Sequence, residues 1–176
     1  GPNARGRTIN IPLPPYTSEE GFIYTIDEMV LPILEDFKPE IIINSAGQDN
    51  HYTDPITNMN FTAHGYALLN EKLKPHIAVL EGGYSIQGAL PYVNLGIVLA
   101  MAGLDYSHIK EPDYDSNYSP QDEEITDYIK QLKAPVLDNY FNPKPDMERA
   151  PEGEFTLRHK NIYYDTDGIQ ENQREY

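Results

Sequence analysis

The stretch NSAGQDNHYTDP, residues 44–55, sets two carboxylates, Asp49 and Asp54, around a histidine, His51. These side chains can hold a metal ion, and the imidazole moves protons near neutral pH. The chain has no cysteine, which excludes disulfides and thiol chemistry, so any metal must be held by Asp, Glu or His. A second stretch, Glu81-Gly82-Gly83-Tyr84, ends a glycine turn on a phenol. The competing reading is structural. Asp favours turn positions, and a tyrosine can pack as an aromatic with its hydroxyl satisfied.

Both stretches follow apolar runs. Ile41–Asn44 and His76–Leu80 read as short strands, and such runs suit a parallel sheet buried on both faces. Thr62 is placed to cap an intervening helix bearing Tyr66, Leu69 and Leu73. Ser85 is placed to cap a later helix bearing Leu90, Val93, Ile97, Val98 and Met101. Upstream, Thr8–Leu13 alternates like a strand until its prolines break it. Ser18 then opens an amphipathic helix through Phe22, Ile26, Met29, Ile33 and Phe37, with a kink at Pro32. The alternation predicts an α/β fold with a parallel sheet flanked by helices in three layers. Ligands of open parallel sheets sit at the carboxyl ends of strands, so loops 44–60 and 81–85 are expected to line one pocket.

Beyond Leu104 the character changes. Residues 105–127 are acidic and Tyr-rich, most simply a solvated face. Ser119-Pro120 opens a predicted short helix through Ile125, Ile129 and Leu132. Residues 138–154 read as a Pro-rich surface loop, and Phe155–Leu157 and Ile162–Tyr164 as short edge strands. The expected division is 1–104, carrying both loops, and 105–176, an extension packing on or beside it.

At 176 residues the chain can build one domain with a real core. Its 13 basic and 28 acidic residues give a net charge of −15, which repels nucleic acid and anionic membrane. The start, GPNARGRTIN, lacks an apolar signal region, and no apolar run is long enough to span a bilayer. A soluble, cytoplasmic protein is the expectation.

Three segments together, NIPLPP at 10–15, IIINSAGQDNHYTDP at 41–55 and VLEGGY at 79–84, resemble the C-terminal half of the zinc-dependent histone deacetylase family. That family includes acetoin-utilisation-type deacetylases and acetylpolyamine amidohydrolases. The likeness covers roughly residues 4–103, and linked motifs in order are more specific than any one of them. It implies the arginase/deacetylase fold, a Zn2+ cofactor and hydrolysis of an N-acetyl amide on lysine or a polyamine. It implies that Asp49 is a zinc ligand, that Tyr84 stabilises the oxyanion, and that Ile56 lies at the pocket rim. Gly82 and Gly83 would let the backbone turn sharply and the substrate approach, with His51 and Asp54 in supporting roles. Gln48 and Ser85 depart from the residues usual at their positions, which bears on pocket shape.

A larger departure concerns the other zinc ligands. The family takes two from an Asp-x-His pair and its general base and acid from a neighbouring His pair, all N-terminal to this segment. Here the histidines are His51, His64, His76, His108 and His159, with no Asp-x-His and no adjacent pair. The chain therefore looks like part of a deacetylase, active when joined by the missing N-terminal half. The alternative is a non-catalytic half-domain or a degenerate module that binds acetylated groups. An arginase-like manganese hydrolase is disfavoured by the Gly-Gly-Tyr turn. An open sheet edge would make the isolated chain poorly soluble, homo-oligomeric or paired with the missing half.

Overall fold

The computed structural model describes residues 7–110 and 120–143. The edge strands expected at 155–157 and 162–164, with His159 and Ser119, lie outside the described residues. The first helical stretch comprises α1 (Glu19–Thr25), a π-helical turn (Ile26–Val30) and α2 (Leu31–Phe37). Then come β1 (Ile43–Ala46), α3 (Ala63–Leu73), β2 (Ile77–Leu80), α4 (Ala89–Met101) and α5 (Glu123–Phe141).

The kink expected at Pro32 takes the form of the wide turn before it. Leu31 N–H donates to Ile26 O, five residues back. Pro32 has no N–H to continue a regular ladder and its ring needs room, which the π turn provides. Lys38 ends α2 in the left-handed conformation (φ 49°), its N–H donating to Leu34 O at 2.9 Å. Ser18 precedes α1, but its side chain does not cap the helix. Its Oγ lies 3.2 Å from Gln121 Oε1, which also accepts the Ser18 N–H. Residues 8–13 form no strand. Ile9, Ile11 and Leu13 instead pack against a core of Met29, Ile129 and Val136.

β1 and β2 pair in parallel, Ile43 opposite Ile77 and Ser45 opposite Val79. The strand falls two residues later than the apolar run suggested, because Ser45 and Ala46 join the ladder. Ala46 enters the main core with Phe61, Tyr66, Val93 and Ile97, and Ala78 packs against it. Asn44 Nδ2 donates to Asn70 Oδ1 of α3 at 3.0 Å. Helices cover that face at Ala46 and Ala78, while Leu80 at the end of β2 is exposed.

The described helices do not cover the other face. Ile43 (61%), Ile77 (47%) and Val79 (40%) are exposed, so the expectation of strands buried on both faces fails here. The described residues supply a layer of helices against one side only. α5 runs longer than the sequence suggested, passing through Pro135 to Phe141. It packs on α1 and α2 through the second core, beside Lys133–Glu28 and Tyr140–Asp36 contacts. No described helix is long and apolar enough to cross a membrane.

Candidate active site

β1 and β2 are parallel neighbours, so the loops after them emerge side by side. Gln48 N–H donates to Gly82 O at 2.5 Å, joining the two loops directly. Beyond that point the Asp49 carboxylate and the Tyr84 hydroxyl converge over Gly82. A Cβ at Gly82 would lie 2.5 Å from Asp49 Oδ2 and 3.4 Å from the Tyr84 hydroxyl oxygen. At Gly83 it would lie 3.0 Å from Gln48 Cβ and 3.2 Å from Leu90 Cδ1. Neither glycine has positive φ. The glycines are required here for close approach, not for the sharp turn the sequence suggested.

Asp49 does not cap its own turn. That role falls to Asp54, whose Oδ1 accepts the N–H groups of Ile56 (2.9 Å) and Thr57 (3.4 Å). The Thr57 hydroxyl reaches back to the Asp49 backbone carbonyl. Asp54 Oδ2 crosses to the second loop and accepts the Tyr84 N–H at 2.8 Å.

His51 is fully buried and its ring stacks on Tyr52 at 4.4 Å between centroids. Its Nδ1 lies 2.9 Å from Thr53 Oγ1, and Thr53 Oγ1 lies 2.8 Å from Ser85 Oγ. Ser85 is not the residue that caps α4. Gly88 holds that position, while Ser85 Oγ accepts the Ala89 N–H at 3.3 Å. Ile56 is 65% exposed at the outer edge of its loop, and Tyr84 is about half exposed.

The sequence marked Gln48 only as a departure bearing on pocket shape and Tyr66 only as a helix-face residue, and it assigned Thr53 no role. Gln48 is buried and its Nε2 donates to Asn94 Oδ1 of α4 at 2.5 Å. Tyr66 of α3 is buried beneath the first loop. Burial pushes its hydroxyl well above the ordinary phenol range, and the negative charges of Asp49 and Asp54 add to this. Thr53 joins the two loops only through a partner 32 residues away.

The remaining histidines stand apart. His64, at the start of α3, lies 3.6 Å from Glu19 Oε1. His76 Nδ1 accepts the Ile42 N–H at 3.1 Å, tying the starts of the strands. A cavity of about 860 Å³ opens elsewhere, lined by His64, Glu71, Lys74, Leu104 and Tyr106, and none of the candidate residues lines it. The candidate residues lie beyond the carboxyl ends of β1 and β2, with Ile56 and Tyr84 open to solvent.

Zinc at a hydrolytic site takes about three protein ligands and keeps one position open. Asp49 fits one of those positions: a hard oxygen donor held at a strand end against a residue with no side chain. Among the described residues no three His, Asp or Glu side chains converge as a metal site. A complete set therefore needs ligands from beyond them.

The fold and site define a class: an α/β protein whose parallel strands end in a carboxylate loop and a Gly-Gly-Tyr loop. Residues 2–95 match the model of the histone deacetylase domain, and the chain belongs to that family. It is 53% identical over 125 residues to a "Probable deacetylase" of Archaeoglobus fulgidus, covering 66% of this chain and 34% of that protein. The chain thus spans about a third of that relative's length. It is 44% identical over 59 residues to "Acetoin utilization protein AcuC" of Staphylococcus aureus, covering 34% of this chain and 15% of that protein. The solved structure of the histone deacetylase Clr3 superposes with a TM-score of 0.62 at 20% identity. That match covers 91% of this chain and 28% of Clr3 and shows the shared fold.

Proposed function

We propose that this chain, within a longer protein, supplies part of the active site of a zinc-dependent deacetylase acting on an N-acetylated lysine or polyamine. The observation that carries the reading is the meeting of the Asp49 carboxylate and the Tyr84 hydroxyl over Gly82. Membership of the histone deacetylase family supports it.

Asp49 holds one ligand position, and residues outside the described chain complete the set. Zinc, when bound, supplies Lewis-acid polarisation of the acetyl carbonyl and activation of water. The Tyr84 phenol donates its O–H to the oxyanion developing on that carbonyl. Gly82 and Gly83 leave the acetyl group room beside the backbone, with Ile56 at the rim. A histidine from the completing segment protonates the departing amine. That segment packs on the bare sheet face of Ile43, Ile77 and Val79. The net charge of −15 favours approach of a cationic amine.

A second reading, a half-domain without turnover, is favoured by the lack of a three-ligand cluster among the described residues. Metal analysis and an acetyl-lysine and acetylpolyamine panel on the full-length protein separate the two. The enzyme reading expects about one zinc per chain and hydrolysis of one substrate class. Asp49→Ala then loses the metal, while Tyr84→Phe keeps it and loses about 10²- to 10³-fold in kcat. A metal-free full-length protein that hydrolyses nothing overturns the enzyme reading.

A further inference from the structure

Asp49 and Tyr84 belong to different loops, so their relative placement depends on what joins those loops. Three polar links do so. Gln48 N–H meets Gly82 O at 2.5 Å, Asp54 Oδ2 meets the Tyr84 N–H at 2.8 Å, and Thr53 Oγ1 meets Ser85 Oγ at 2.8 Å. Of the three, only the Asp54 link grips Tyr84 itself. Asp54 is 7% exposed, and both of its oxygens are occupied by backbone donors. Oδ1 holds its own turn at Ile56 and Oδ2 holds the facing loop at Tyr84.

We propose that Asp54 is a positioning residue: a carboxylate that clamps Tyr84 so that its hydroxyl stays over Asp49. The role rests on the reading of Tyr84 as the oxyanion donor. The chemistry makes a specific demand. Two N–H donors on opposite oxygens need an acceptor at both ends, and charge assistance strengthens each bond. Asparagine has the same shape but presents an NH₂ group to one of those donors. Asp54→Asn therefore breaks one grip without changing volume, which separates this role from simple packing.

The test has a solution arm and a kinetic arm, both on the full-length protein. In the wild type, the Tyr84 amide is expected to exchange with solvent at least about tenfold more slowly than in an unstructured peptide. No protection overturns the clamp without any variant being made. In Asp54→Asn, the Tyr84 or Ile56 amide should exchange about tenfold faster, while Asn70 in α3 is unchanged.

In the zinc-loaded enzyme, Asp54→Asn should lower kcat about 10- to 100-fold, with KM and zinc affinity within about twofold. The Asp54→Asn/Tyr84→Phe double variant should be no slower than Tyr84→Phe alone, because Asp54 acts through that hydroxyl. Losses that multiply overturn the proposal. If the wild-type enzyme turns over no acetylated amine, the reading of Tyr84 fails and amide exchange alone decides whether the clamp exists.

Discussion

The Asp49 carboxylate and the Tyr84 hydroxyl, 35 residues apart in sequence, both lie within 3.4 Å of the point where a Gly82 Cβ would sit. Gly82 is therefore part of the site through what it lacks. Gly82→Ala would set a methyl group 2.5 Å from Asp49 Oδ2, closer than such atoms approach. We expect the variant to fold, because the residue sits at an open edge, and to bind zinc at least about tenfold more weakly. Competitive chelator titration of the full-length protein measures this, and unchanged affinity would show that the carboxylate is free to move aside.

The bare sheet face sets the behaviour of the chain alone. Among the described residues, Ile43, Ile77 and Val79 form an exposed apolar strip beside a strand edge that no described strand pairs. Such surfaces associate. The isolated 176-residue chain should sediment as oligomers or precipitate, and Ile43→Lys with Val79→Lys should shift it toward monomer. A wild-type chain that is monomeric with a cooperative melt contradicts this.

α1 and α5 touch where α1 has no side chain. A Cβ at Gly21 would clash with Gln121 Oε1 and lie 2.6 Å from Ile129 Cδ1 and 2.7 Å from Thr17 Cγ2. Crowding from three directions leaves little room to relax, so Gly21→Ala should cost about 1–3 kcal/mol despite alanine's better helix propensity. Thermal melting reads the loss directly. A variant as stable as the wild type would mean that α5 is not docked on α1 in solution.

Tyr106 supplies a pH dependence remote from the site. Burial, then the hydrogen bond from its hydroxyl to Glu71 Oε2 at 2.5 Å, pushes its pKa up to about 12. The unfolded chain releases this proton near pH 10. The contribution to stability is thus complete below pH 10 and is lost as pH rises toward 12. Denaturation midpoints measured across that window should fall less steeply in Tyr106→Phe. The part of the slope that remains belongs in part to Tyr66, whose hydroxyl is also raised by burial.

Between Ser18 and Met101 the sequence by itself determined the order of helices and strands, the parallel pairing and the two loops that meet, whereas the strand read at 8–13 did not form. Those follow from local patterns. Apolar runs make strands, and Thr62 caps α3 by accepting the Gly65 N–H at 2.9 Å. Linked motifs such as NSAGQDNHYTDP also marked the family.

Tertiary structure decided what depends on distant partners. Asp54 became the link between the loops only because β1 and β2 lie side by side, which brings a donor 30 residues away to its second oxygen. The glycines of the second loop proved to be contact points, because only the folded chain shows what stands next to a missing side chain. The bare face of Ile43 and Val79 was hidden for the same reason. An apolar residue gives the same signal in sequence whether its cover lies within the described residues or beyond them.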